Sequence, residues 1–256
     1  MGRIDTRYAY SQARLQARYG ARPSSADWSL VAATADLGAL LQVLRGSSLG
    51  RWTARLGDRP HVHEIEQRLR EQWLHDVDEV ARWQPDPWRD GVRWLRWIVY
   101  LPALQKIARG GRPPIWMRVD PVLAPIVARE PRDRSSALQG TALAPLAVGF
   151  DEPADTAGAW TRRWRQLWPS RQAARRPLEL LLGEATRTRT RLAELPATTR
   201  ANETLKLLER RMELAFRRNP LSPAAAAAYL GLLALDMSRI RGALATRALQ
   251  DDGAAP

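Results

Sequence analysis

The chain contains no cysteine and only three histidines. Without cysteine there can be no disulfide scaffold, no thiol nucleophile and no sulfur-ligated zinc, and a cytosolic address is more natural than a secreted one. No Walker-type glycine loop, dinucleotide fingerprint or Gly-x-Ser-x-Gly elbow occurs, and no pair of carboxylates has a spacing that singles it out for acid and base work. Alternating Val, Ile and Thr runs between turn signals are missing too, which argues against a sheet-based fold. Long apolar runs are equally scarce. The two longest uncharged stretches, from Ser135 to Phe150 and from Asn219 to Leu235, carry proline and fall short of the ~20 apolar residues of a membrane span. The opening Met-Gly-Arg-Ile-Asp-Thr does not read as a signal peptide. Met1, Gly2 and Thr6 fit the loose myristoylation pattern, which so few fixed positions meet often by chance.

What is present is an ordinary globular composition with a strong charge bias. Hydrophobic residues make up 45% and charged residues 26% of 256 residues, enough apolar material for one large or two small folded domains. Lys plus Arg exceed Asp plus Glu by 40 − 27 = 13, and nearly all of the excess is arginine, whose planar fork suits phosphates and carboxylates. An acidic partner or surface is expected. Net charge alone does not choose between nucleic acid, anionic lipid and an acidic protein face.

Helical periods dominate both ends. Ile4, Tyr8, Leu15 and Tyr19 form one stripe, with Arg3, Arg7, Arg14 and Arg18 one position earlier, as two neighbouring faces of one helix would be. The basic stripe is read first as a solvated face and second as an anion contact. After the start signal Pro23-Ser24-Ser25, Leu30, Ala33, Leu37, Leu40, Leu41 and Leu44 keep the period up to Gly46, with a break expected near Thr34. Ile65, Leu69, Trp73, Val77 and Val80 mark another helix, Asp86 and Pro87 start the next, and Pro102 breaks it. From Gly110 to Pro169 glycine and proline punctuation, including Asp151-Glu152-Pro153, replaces any sustained period. The C-terminal part is periodic again. Leu178 to Leu195 forms one helix ended by Pro196, Leu205 to Phe216 a second, and a third starts with Ser222 as cap and Pro223 at the first position and runs to about Leu249. The reading is an all-α protein in three regions: 1–110 helical, 111–176 rich in Pro and Gly with short helices, and 177–256 helical.

Few residues suggest chemistry. His61, His63, Glu64, His75 and Asp76 are the one cluster with metal-ligand residue types. Two histidines at i and i+2 share a face only in an extended segment, and His-Glu-x-x-His is absent, so a polar helix start is the simpler reading. No metal or cofactor is expected. Trp88, Trp94 and Trp97 with their arginines, echoed by Trp160, Trp164 and Trp168, could stack on bases. At helical spacing they are more simply core or interface anchors. Asp236 falls inside the apolar stripe Tyr229, Leu233, Met237, Ile240 and Leu244. A carboxylate there needs an internal partner such as an arginine, or else marks a face that a partner protein covers.

Tyr8-Ala9-Tyr10-Ser11-Gln12-Ala13-Arg14-Leu15 followed by Ala35-Asp36-Leu37, together with Asn219-Pro220-Leu221, Ala228-Tyr229-Leu230 and Asp236-Met237-Ser238-Arg239-Ile240-Arg241, resembles the C/d-type central-stalk family of the archaeal (A-type) and vacuolar (V-type) rotary ATPases. Asp236, Ile240 and Arg241 match the acidic, aliphatic and arginine positions of that family's terminal helix, whereas Ala234 and Arg239 stand where the family has Glu and Asn. The chain is shorter than the usual member, and its middle third has no counterpart. The resemblance implies several three-helix units packed into a funnel-like or curved domain and a protein with no catalytic activity of its own. It also implies a cytoplasmic position, peripheral on the membrane face, between the rotor shaft subunits and the proteolipid ring. Arginine faces would then be available to acidic loops or anionic lipid headgroups. Tyr8, Tyr10, Arg14, Tyr229, Asp236 and Arg241 become the candidate partner-contact or structural residues. A basic helical nucleic-acid-binding protein is the alternative, and an enzyme with its site in the middle region, drawing on His61, His63 or Asp236, is a second.

Overall fold

A computed structural model describes residues 8–150, 155–170, 172–194 and 198–253. Ile4, Arg3, Arg7, the Met1-Gly2-Thr6 pattern, Asp151-Glu152-Pro153, Leu195 and the expected helix stop at Pro196 lie outside the described residues. The protein is all-α: helices carry 80% of it, and no strand occurs among the described residues.

In chain order the helices are α1 (Ala9–Gly20), α2 (Ser25–Ala33), α3 (Leu37–Arg45), α4 (Gly50–Thr53), α5 (Val62–Trp83), α6 (Asp86–Trp94) and α7 (Leu101–Ala108). The short α8 (Ile115–Val119), α9 (Ala124–Val127) and α10 (Arg134–Gln139) follow, then α11 (Thr156–Gln166), α12 (Gln172–Glu194), α13 (Thr198–Arg218) and α14 (Pro223–Gly253). Local chemistry explains most of the starts. Ser24 and Asp27 form a capping box at α2, and the Asp36 carboxylate accepts the Ala39 N–H at 2.7 Å to open α3. Pro223 is the first residue of α14, where its missing N–H costs nothing. The break expected near Thr34 falls there, with Thr34 closing α2. Gly110, at φ +75°, turns the chain out of α7 while the Gly111 N–H reaches back to the Lys106 carbonyl.

Two expectations change. Pro102 opens α7 instead of breaking a helix, because the chain passes from α6 through a 3-10 segment, Leu95–Tyr100, and presents the proline to a first turn that needs no N–H there. Leu30 is 51% exposed and Val31 faces the core instead. Arg247 of α14 donates to the carbonyls of Val31 and Thr34, gripping the end of α2 in that rotation.

The chain divides into two compact units, Met1–Val92 with Ser170–Pro256 and an intervening Arg93–Pro169. Residues 1–92 of the first region thus fold with the third, and the middle unit starts earlier than the Gly- and Pro-rich texture and ends with it at Pro169. In the discontinuous unit α14 is central, packed against α1, α3, α5, α12 and α13. Its first two turns, Pro223 to Leu230, are buried on all sides. Five consecutive alanines there allow close approach of neighbouring helices. Farther along, Leu233, Met237, Ile240 and Leu244 continue the buried stripe. The intervening unit has its own core of Leu104, Met117, Leu123, Leu138, Leu146 and Phe150. Trp160, Trp164 and Trp168 line up there in successive ring contacts of 5.4 and 5.0 Å, and the Trp94 indole N–H donates to the Trp160 carbonyl at 3.1 Å.

Two substitutions on α14 should act in opposite directions. Ile240 is fully buried, and Ile240→Ala should cost about 2–5 kcal/mol through lost burial and the cavity left behind. Gly242 lies mid-helix, and beyond its chain neighbours and the adjacent helix backbone nothing stands within 4 Å of where a methyl group on it would project, so Gly242→Ala should stabilise by about 0.5–1 kcal/mol. Urea unfolding midpoints of the two variants read both effects.

Candidate functional site

The conspicuous polar feature of the discontinuous unit is a pair of buried charge clusters on α14. Asp236 is completely buried. Arg22, from the segment between α1 and α2, forks onto it, with Nε 3.0 Å from Oδ2 and Nη2 2.9 Å from Oδ1. The same Nη2 donates to Glu209 of α13 at 3.1 Å, and Nη1 lies 3.7 Å from Glu213. Glu209 also accepts from Arg239 at 2.5 Å, and the Arg239 guanidinium rests 5.4 Å from the Trp28 ring centre. One cluster therefore joins α2, α13, α14 and the end of α1.

Its electrostatics follow from burial. Desolvation disfavours the Arg22 charge, but the hydrogen bonds and fields of Asp236 and Glu209 outweigh it and hold the pKa above its ordinary value. Burial likewise pushes the Asp236 carboxyl up, against the pull of Arg22 and with a further push from Glu209. Glu209 is also disfavoured by burial, yet Arg239 and then Arg22 hold its carboxyl below the usual range.

A second cluster surrounds Tyr229, seven residues before Asp236 and so on the same side of α14. Arg51 of α4 pairs with the buried Asp76 of α5, and Gln72 donates to the same Asp76 oxygen at 3.0 Å. The other oxygen, Oδ2, is buried without a hydrogen-bond partner. Desolvation raises the Asp76 carboxyl despite the field of Arg51. Burial also holds the Tyr229 phenol above its ordinary range, opposed by Arg51. On the flank, Arg18 of α1 donates to both Glu79 oxygens at 2.9 and 2.7 Å.

These contacts locate the six candidate residues. Tyr8, Tyr229 and Asp236 are buried. Tyr10 is 60% exposed, and Arg14 lies between the Tyr10 and Trp83 rings at 5.9 and 5.2 Å. Arg241 is half-buried, with Nε 3.0 Å from Glu66 of α5. The structure brings Asp236 and Tyr229 into the two clusters and leaves Tyr10 and Arg14 together at the surface of α1. The basic stripe of α1 is neither free nor a bare anion site where it is described, because Arg14 and Arg18 both approach Glu79.

Sequence reasoning missed Arg22, Arg51 and Glu209 as members of these clusters, and weighed Asp76 only beside the histidines. The signal for Asp76 was the same as for Asp236: it interrupts the buried stripe Trp73, Val77 and Val80. His61 is the N-cap of α5, its Nδ1 accepting the Glu64 N–H at 3.1 Å. Among the described residues no group of three or more His, Asp and Glu is arranged to hold a metal ion.

No family model, curated protein or solved structure matches this chain. Among the described residues no helix is long and apolar enough to cross a membrane.

The buried pair gives a stability test. Arg22→Met leaves Asp236 buried beside Glu209 without its cation and should cost about 3–5 kcal/mol, whereas Arg22→Met combined with Asp236→Leu should regain much of it. Chemical denaturation of the single and double variants measures both. Asp76 gives a pH test. A carboxyl whose pKa is raised on folding leaves the folded state holding the extra proton, so its contribution to stability falls as pH rises from its ordinary 3.8 toward the raised value. Across that window Asp76→Asn should gain stability relative to the parent chain, as read from unfolding midpoints at several pH values.

Proposed function

We propose that this chain is a non-catalytic central-stalk component of a rotary ATPase, seated between the shaft and the proteolipid ring on the cytoplasmic membrane face and coupling the two. The observation that carries the proposal is the meeting of the two segments that resemble the central-stalk family. Tyr8 to Leu15 and Asn219 to Arg241 stand some two hundred residues apart, yet α1 and α14 pack together. The Gln12 side-chain oxygen accepts the N–H of Leu221 at 3.0 Å, within the Asn219-Pro220-Leu221 turn. Leu221 sits there at φ +56°, a conformation a branched side chain rarely adopts unless its surroundings enforce it. Arg22 and Asp236 join the same two segments again. Resemblance confined to pieces that fold together is what an ancestral structural unit would leave.

A coupling of this kind transmits torque through rigid, well-packed helices. The charge clusters on α14 suit that role because displacing them would expose unpaired buried charges. Of its aromatic platform the rival nucleic-acid reading keeps only Trp97, half-buried beneath Arg96. Trp88, Trp94, Trp160, Trp164 and Trp168 are 7% exposed or less, so bases have no access to their faces.

Gentle purification of the tagged full chain from native host membranes tests the proposal. Shaft subunits and the proteolipid ring should co-purify and remain bound through gel filtration. A preparation without them, carrying nucleic acid whose affinity falls steeply with salt, would replace this reading with the rival one.

A further inference from the structure

The arginine surplus is not spread evenly between paired and unpaired positions, and α13 separates the two most sharply. One side of this helix is internal. Met212 and Phe216 are buried, Phe216 stacks on Tyr19 at 4.5 Å, and Glu209 belongs to the Arg22 cluster. The opposite side is in solvent from Lys206 to Arg218.

At about 100° per residue, Leu207 and Leu214 fall within about 20° of each other along the centre of that outer side. They are 42% and 36% exposed. Arg210, Arg217 and Lys206 lie on one flank of the leucine line, and Arg211 and Arg218 on the other. Lys206, Arg210, Arg211 and Arg218 make no hydrogen bond or ion pair with any described residue. Arg217 is shared with Glu213 at 3.6 Å and stays 65% exposed. Glu203, at the N-terminal end, is exposed on this side, and the half-buried Glu213 borders the Lys206 flank. The result is a ridge about 18 Å long, with two apolar side chains at its crest and cations along both slopes.

We propose that this outer face of α13 docks on the headgroup layer of an anionic phospholipid bilayer. The charge calls for an anionic partner, and the arrangement favours a lipid surface over other anions. Cations on both flanks of an apolar line can reach phosphates in a plane while the leucines enter the boundary between headgroups and acyl chains. A nucleic acid would gain nothing from the leucines. A single convex helix offers an acidic partner helix no groove. The four unpaired cations have no ion pair with any described residue to surrender on binding, and their charge is what the lipid field attracts. The inference stands on this helix face and does not rest on the rotary-ATPase reading.

The test is co-sedimentation of the full chain with phosphatidylcholine vesicles, with and without phosphatidylserine, at low and physiological salt. Binding is expected only with phosphatidylserine and should weaken with salt. Each cation near such a surface contributes about a fivefold factor, so Arg210→Gln/Arg211→Gln should lower the partition coefficient about thirtyfold. Arg210→Lys/Arg211→Lys should retain most of the binding, since the lipid field acts on the charge. Leu207→Ser/Leu214→Ser should reduce the binding that survives at higher salt. Circular dichroism of these surface variants should match the parent chain. In the intervening unit, Ile115 and Val119 are 73% and 66% exposed, and Ile115→Ser/Val119→Ser should leave binding unchanged.

Equal binding to both vesicle types overturns the proposal, as does loss of binding in the Ile115→Ser/Val119→Ser variant but not in the arginine variant. So does a protein that ignores phosphatidylserine yet holds RNA or an acidic polypeptide through Arg210 and Arg211. Phosphatidylserine binding by a protein that recovers no shaft or ring subunits leaves the lipid face standing and removes the coupling reading. Recovery of those subunits without lipid binding removes the lipid face alone.

Discussion

A carboxylate at the centre of an apolar helix stripe must find a cation, and the fork of Arg22 on Asp236 is the contact around which the discontinuous unit is organised. Burying Asp236 without Arg22 would strand a charge in a medium that solvates it poorly. The partner comes from 214 residues away in the sequence, so satisfying this one group requires the two ends of the chain to meet. The pair also sets the rotation of α14. Turning that helix by one residue would swing Asp236 through about 100°, away from Arg22 and into the apolar side chains beside it. Tyr229 applies the same constraint two turns earlier, through Arg51 and Asp76. Hydrophobic burial supplies most of the stabilisation of such a bundle but is tolerant of sliding. Paired charges are not.

This division of labour explains what could be read from the sequence. Apolar period and caps are local, and they located α5 and α14, the split between α2 and α3, and the Pro223 start. The internal position of Asp236 was legible for the same reason, because it interrupts a period. Its partner was not. Nothing local distinguishes Arg22 from Arg14 or Arg18, and only tertiary approach assigns one to Asp236 and another to Glu79. The intervening unit was illegible for a different reason. Its short helices α8 and α9 each bury one residue, Met117 and Ile126, so no single segment is long enough to display a period. That core exists only as a sum over segments broken by glycine and proline. Pro102 misled because proline stops a helix in its interior and starts one in its first turn, and the intervening 3-10 segment hid which applied.

The tryptophans illustrate how residue type and residue role separate. Beside arginines in the sequence, they look like a platform for bases. In the fold the indoles of Trp160, Trp164 and Trp168 touch in sequence inside the intervening unit, the first pair tilted and the second edge to face. Near them Arg96 lies over the half-buried Trp97 at 4.9 Å, and Arg162 reaches Asp155 at the surface. On α11 the two residue types separate, with Trp160 and Trp164 in the core and Arg162 and Arg165 in solvent.

The net charge of +13 is for the same reason a poor guide until its members are sorted by what they touch. Arg22, Arg51 and Arg18 are committed to internal carboxylates, and Arg247 to the carbonyls that end α2. Their positive charge is locally balanced or spent on backbone dipoles, and an external anion would have to compete with a bond already made. On the outer side of α13 no described residue competes in this way for Arg210, Arg211 and Arg218. A single helix therefore presents paired charge inward and unpaired charge outward. Its inner side fixes the position of the outer one, since Glu209 holds α13 to Arg22 and Arg239 while Met212 and Phe216 anchor it in the core. A basic ridge fixed in this way meets a charged plane as a rigid body, with no ordering of the helix needed on contact.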